Sequence, residues 1–118
     1  MSLPQPIGPY SLCREGGNFV FLSGQIGIDP EKGEIPENLE EEIRVLLDNV
    51  KRILGSLGLG MEDVIKTTVF LTDINVFPKL NEIYADYFTE PYPARSTVVV
   101  KSLPKNARIE IEVIALKK

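Results

Sequence analysis

The chain reads as an α+β domain, a single sheet with two helices against it, and three observations carry that reading. Two segments repeat apolar residues at helical spacing. Several others are short, rich in β-branched side chains and bounded by Gly, Pro and Asn, as strands are. The order along the 118 residues is β-β-β-α-β-α-β-β, which predicts a six-stranded sheet with both helices on one face.

Residues 10–28 favour β structure and are broken at Gly16-Gly17-Asn18, which predicts two strands joined by a hairpin and a further strand segment after Gly24. Turns at Asp29-Pro30 and Lys32-Gly33 close that section. Leu39, Ile43, Leu46, Leu47, Val50, Ile53, Leu54 and Leu57 then fall at spacings of three and four, an apolar stripe along about five turns of helix. Asn38 is a good N-cap, Glu41 stands three residues on as its capping-box partner, and Gly58 suits the left-handed residue that ends a helix. Residues 64–72 predict a strand. Helical spacing returns through Val76, Phe77, Leu80, Ile83, Tyr84, Tyr87 and Phe88, until Pro91 and Pro93 stop it. Residues 96–101 and 107–116 make the last two strands, separated by Leu103-Pro104-Lys105-Asn106.

Two amphipathic helices cover only one face of a sheet, yet several strands carry apolar side chains at both parities. Val98 and Val100 stand against Val99, and Ile65 and Val69 against Val64 and Phe70. A second apolar face needs a second cover. Another copy of the same chain is the simplest source, so a homo-oligomer is expected; loops or a curled sheet are the alternative.

Composition narrows the chemistry. Thirteen Lys and Arg against seventeen Asp and Glu give a net charge of −4, no electrostatic surplus for phosphate backbones, so no nucleic-acid partner is expected. No His is present, which removes every Ser-His, Cys-His and His-metal arrangement. The single Cys13 excludes an intrachain disulfide and any CxxC site, and it reads as a small core residue. No apolar run exceeds four residues, so neither a membrane span nor a signal peptide is expected, and the location predicted is cytoplasmic. No repeat, linker or charge block divides the chain, which predicts one domain over residues 1–118. Gly55, Gly58 and Gly60 end a helix rather than begin one, unlike a phosphate loop. Function must rest on carboxylates, Arg, Lys, Tyr, hydroxyls and backbone.

Arg95 stands in Pro93-Ala94-Arg95-Ser96, where prolines and a strand onset fix the backbone. A planar guanidinium on a rigid element matches the two oxygens of a carboxylate. Taken alone, the residue fits a salt bridge to a Glu, within or between subunits, better still. In the last strand Arg108, Glu110 and Glu112 share one face and Ile109, Ile111 and Val113 the other. If a neighbouring subunit covers the polar face, Glu110 or Glu112 becomes a partly buried carboxylate tuned to hold or deprotonate a water; otherwise these charges pair on an exposed strand. Gly24, in Ser23-Gly24-Gln25, marks a bulge, a close backbone approach to a ligand, or a turn. Tyr10 offers a phenol at the end of the stiff Gly8-Pro9 segment, for a substrate or for packing.

Taken together, Ile7-Gly8-Pro9-Tyr10-Ser11, Ser23-Gly24-Gln25-Ile26, Lys66-Thr67-Thr68-Val69-Phe70-Leu71, Phe77 with Asn81, Tyr84 and Phe88, Pro93-Ala94-Arg95-Ser96, Leu103-Pro104 and Ile109-Glu110-Ile111-Glu112 come in the order seen in the RidA (YjgF/YER057c/UK114) family, which the chain resembles over nearly its whole length. The resemblance implies a chorismate-mutase-like fold, a homotrimer whose sheets pack into a central barrel, and a ligand cleft at each subunit interface. It implies hydrolysis of reactive 2-imino acids and their enamines, such as 2-iminopropanoate and 2-iminobutanoate, to 2-oxo acids and ammonia, with no cofactor or metal. Arg95 looks like the family's carboxylate-binding arginine and Glu110 like the acidic residue that holds the attacking water. Tyr10, Gly24 through its backbone, and Asn81 resemble further cleft positions. Thr97 stands where relatives often have Cys, leaving its backbone N–H as the group offered to substrate. Leu12 replaces a frequent Gln, and Thr89-Glu90-Pro91-Tyr92 is a shorter lead-in to the arginine than in some relatives. Two other readings are a small-carboxylate-binding or chaperone-like trimer without turnover, and an endoribonuclease or translation inhibitor, which the acidic balance disfavours.

Overall fold

The computed structural model describes residues 3–118, so the first two residues of the expected 1–118 domain lie outside the described residues. Strands β1 (Cys13–Gly16) and β2 (Phe19–Ile26) form the expected hairpin, with Gly17 at φ 60° in its turn. Helix α1 (Leu39–Ser56), β3 (Val64–Leu71), α2 (Phe77–Tyr87), β4 (Ala94–Val99) and β5 (Ile109–Leu116) follow. The sheet is mixed, in the order β1-β2-β5-β3-β4, with β3 and β4 parallel and every other pair antiparallel.

The sheet has five strands, not six. The segment expected as a separate strand after Gly24 is the end of β2, which passes through a β-bulge: Leu22 faces Val113 but Gln25 faces Ile111, so β2 spends one residue more than β5. The glycine that looked like a strand boundary bends a strand without ending it. The observed order is therefore β-β-α-β-α-β-β.

Helix α1 forms for the reasons its sequence gives. Asn38 Oδ1 accepts the Glu41 N–H at 3.0 Å, three glutamates occupy the first turn, where the helix dipole favours negative charge, and Gly58 closes the end at φ 75°. Ile43, Leu46, Leu47, Val50, Ile53 and Leu54 are fully buried against the sheet, whereas Leu57, the last residue of the stripe, is exposed beyond the final turn. The sheet answers with Val20, Leu22, Val69, Leu71, Ile109, Ile111 and Val113, so the two helices and one sheet face enclose the core.

The other sheet face is open. Phe19, Phe21, Val98 and Leu116 stand on it between 41 and 45 % exposed. Val98 lies in one of the strands expected to be apolar at both parities, Phe19, Phe21 and Leu116 add to it from β2 and β5, and among the described residues neither helix nor loop covers them.

One polar pair was not legible in the sequence. Glu42, in the first turn of α1, is fully buried. Its carboxylate accepts the Arg108 backbone N–H at 2.8 Å and Nε at 2.6 Å, while Arg108 Nη2 donates to the carbonyls of Glu37 at 2.8 Å and Pro36 at 3.2 Å. Arg108 was expected on the polar face of the last strand with Glu110 and Glu112. It instead precedes β5 and clamps that strand's entry to α1, because four acceptors converge on one guanidinium and its own amide. The helix comes close because Gly27 has no Cβ; one there would sit 2.9 Å from Glu42 Cγ.

Replacing Arg108 with Met leaves a buried carboxylate without its cation, so Arg108→Met is expected to cost about 3 kcal/mol of stability. Urea unfolding at fixed protein concentration measures it. A loss below about 1 kcal/mol, the worth of an exposed ion pair, would contradict the clamp.

Candidate functional site

Glu110 lies in the middle of the sheet, opposite Phe70 of β3 on one side and Ile26 of β2 on the other. Its side chain points to the open face, where it is half-buried. Burial pushes its carboxyl above the ordinary glutamate range, and the like charge of Glu112, two residues on along the same face, adds to the rise. The bulge in β2 brings Gly24 against it: a Cβ on residue 24 would come within 2.9 Å of Glu110 Cδ. Gly24 therefore marks both a bulge and a close approach, and the neighbour it admits is Glu110 itself.

Tyr10 completes this cluster from the N-terminal segment. Its hydroxyl accepts the Ile7 N–H at 3.3 Å and its own N–H donates to Gly8 O at 2.9 Å, a small knot that holds the ring next to the sheet. Tyr10, Gly24 and Glu110 share the wall of one cavity of about 240 Å³.

Arg95 is elsewhere. In the parallel β3–β4 register it pairs with Thr67, which is fully buried on the helix side, so Arg95 projects toward α2. Its guanidinium carbon lies 4.8 Å from the centre of the Tyr84 ring and 5.4 Å from that of Phe77. Cation–π contact fixes it there. No ion pair involves Arg95 among the described residues, so an intramolecular salt bridge is not its role. A shallow pocket joins Arg95 to Asn81, Tyr84, Tyr92 and Pro93. Thr97, two residues on, pairs with Val69 on the same helix-side parity, and it lines neither pocket.

The six candidates thus fall into two groups on opposite faces of one sheet. Tyr10, Gly24 and Glu110 meet on one, Arg95 and Asn81 on the other, and Thr97 follows the parity of Arg95. One chain does not bring Arg95 and Glu110 together.

Tyr84 and Phe77 seat the Arg95 guanidinium, although their spacing reads as core. The Tyr84 hydroxyl and Thr67 Oγ1 share a hydrogen bond of 2.9 Å, and the ring lies 4.4 Å from that of Phe88. Burial raises its phenol pKa, with the Thr67 bond and the Arg95 charge pulling the other way, so the ring stays neutral beneath the guanidinium. The signal that marks them is the 77, 81, 84 spacing, which sets two aromatic faces and an amide along one side of α2.

The family model Endoribonuclease L-PSP matches residues 1–117. A RutC family protein of Pyrococcus horikoshii is 52% identical over 115 residues, 97% of this chain and 91% of that protein. A 2-iminobutanoate/2-iminopropanoate deaminase of Dermatophagoides farinae is 44% identical over 114 residues, 96% of this chain and 89% of that one. The crystal structure of Escherichia coli TdcF with bound serine superposes with a TM-score of 0.92 at 45% identity, covering 98% of this chain and 94% of that one.

Since Glu112 raises Glu110 by like-charge repulsion, Glu112→Gln is expected to lower the Glu110 titration midpoint toward the ordinary value of about 4.3 without reaching it, because burial remains. Carboxyl-carbon NMR titration reads it. An unchanged or higher midpoint would show that the two carboxylates do not interact.

Proposed function

The chain belongs to the RidA (YjgF) family, the Endoribonuclease L-PSP family of the matching model, and from that premise we propose that it hydrolyses 2-imino acids to 2-oxo acids and ammonia at a site completed between two copies of the chain. The observation that carries this reading is the division of the site. Arg95 has a rigid aromatic seat and no acidic partner among the described residues, Glu110 has a raised pKa beside a cavity, and the sheet separates them. A second copy that brings Arg95, carried on its edge strand β4, against the open face of the first, where Phe19, Phe21, Val98 and Leu116 await a cover, supplies the missing half. A trimer in which the β4 edge of each copy meets the open face of the next is the assembly proposed.

The chemistry needs no imidazole. Arg95 of one copy binds the substrate carboxylate through two parallel N–H donors, and the backbone N–H groups of Gly24 and Thr97 complete its orientation. Ionised Glu110 of the next copy accepts a hydrogen bond from a water beside the imine carbon. As the water oxygen bonds to that carbon, its proton passes to Glu110 and the C=N electron pair moves to nitrogen. Glu110 returns that proton to nitrogen to give the neutral carbinolamine, then carries the hydroxyl proton to the same nitrogen as the carbonyl forms and the C–N bond breaks, so that ammonia leaves. Imines hydrolyse unaided in water, so placement and modest acid–base help supply the rate. Tyr10 stands close enough to the same cavity to steady the water or the leaving nitrogen.

A binder of small carboxylates without turnover would use the same Arg95, and the serine held by Escherichia coli TdcF favours it as the second reading. A nuclease is poorly served by a net charge of −4 and by two glutamates on the open face.

The test is the rate of 2-oxo acid release from 2-iminopropanoate generated in solution. Wild type is expected to accelerate it over the spontaneous reaction, Arg95→Ala and Glu110→Gln to lose roughly 10²-fold or more in kcat/KM, and Gly24→Ala to lose activity by displacing Glu110. Protonation of Glu110 stops catalysis, so activity falls as pH drops through its raised pKa, with the acid limb above about 4.3. Equal rates for wild type and Arg95→Ala would refute the deaminase reading.

A further inference from the structure

The cavity beside Glu110 is larger and more apolar than a three- or four-carbon imino acid requires. At about 240 Å³ it has room for roughly eight waters of about 30 Å³ each, and a methyl group fills about the share of one. Apart from Tyr10, Gly24 and Glu110, its wall is built mainly of Leu3, Leu12, Ile26, Ile28, Pro30 and Pro104. Besides Tyr10 and Glu110, three polar side chains belong to the lining, Gln5, Gln25 and Lys105. The Gln25 amide donates to Ser23 O at 3.1 Å, and Lys105 is solvent-exposed.

We propose that this cavity receives the substrate side chain, and that the preferred substrates are 2-imino acids with branched aliphatic or aromatic side chains rather than the methyl and ethyl homologues. The assignment rests on the deaminase reading for its reaction, but its geometry is that of the cavity alone. With the imine carbon held at Glu110, the side chain is the one part of the substrate that needs an apolar enclosure. A methyl group there leaves the lining without contacts, whereas each further buried carbon is worth about a factor of four in binding. The leucine-derived imino acid has three carbons more than the alanine-derived one. Allowing for the side open to solvent, its advantage is at least about tenfold.

Two measurements on the wild-type protein test this. The first compares kcat/KM for imino acids released by an L-amino-acid oxidase from alanine, leucine, phenylalanine and aspartate. The second is calorimetric binding of pyruvate and 4-methyl-2-oxopentanoate, which requires no turnover. A leucine-to-alanine ratio of about 10 or more is expected, together with a several-fold fall in that ratio when Leu12→Trp or Ile28→Trp fills the cavity. A wild-type ratio of 1 or less, or a preference for the aspartate-derived substrate, overturns the apolar assignment and leaves the deaminase reading standing. Absent turnover with tighter binding of 4-methyl-2-oxopentanoate than of pyruvate removes the deaminase reading and keeps the cavity's role. Absent turnover with no such preference overturns both.

Discussion

Side chains alternate between the two faces of a strand, and β3 imposes that alternation on both its neighbours. Thr67 is buried under the helices and sets Arg95 on the helix side through the parallel pairing. Phe70, at the opposite parity, sets Glu110 on the open side through the antiparallel one. A one-residue slip on either border would move a functional side chain to the wrong face. The buried aliphatic residues that hold β3 in place, Val69 and Leu71 against Ile111 and Ile109, thereby fix where the chemistry can occur. The bulge at Ser23-Gly24 is the one tolerated irregularity near Glu110, and it leaves space where a Cβ would collide with the carboxylate.

The two halves of the site are prepared in different ways for the charges they carry. Arg95 is held by aromatic faces, which restrict its motion without neutralising it, so its charge remains for a ligand carboxylate. Glu110 is half-buried near another glutamate, and burial first, the like charge second, raise its pKa above the ordinary glutamate range, in the direction that strengthens a base. By contrast Arg108 and Glu42 bind each other and the local backbone, a pair that ties the entry of β5 to α1. Composition alone gives the same weight to all four residues, and only their surroundings separate scaffold from site.

Much of this was legible in the sequence because it rests on period. The stripe from Ile43 to Leu54 marked α1, and apolar residues at both parities of β3 and β4 foretold an uncovered sheet face. Arg95 and Glu110 stood out through rigid or alternating contexts, and the family resemblance gave them roles. What escaped depends on three-dimensional neighbours. Glu42 looks like any first-turn glutamate until Arg108, sixty-six residues away, folds onto it. Tyr84 and Phe77 fit a core stripe until β4 places a guanidinium over their rings. The extra strand was assigned because a glycine in a strand gives one signal for a bulge and for an end, and only the partner strand's count distinguishes them. Arg95 and Glu110 were joined into one site by their roles, while the register that separates them is a property of pairing.

The central claim is that neither face of the sheet is competent alone, and mixing two inactive proteins tests it most directly. Arg95→Ala and Glu110→Ala chains, each inactive by itself, are unfolded together in equal amounts, refolded and assayed for imine hydrolysis. If each site draws Arg95 from one copy and Glu110 from the next around a closed ring, about a quarter of the sites regain both residues by chance, and a corresponding fraction of wild-type activity returns. A refolded mixture as inactive as its two components would place both residues in a site within one chain and contradict the account.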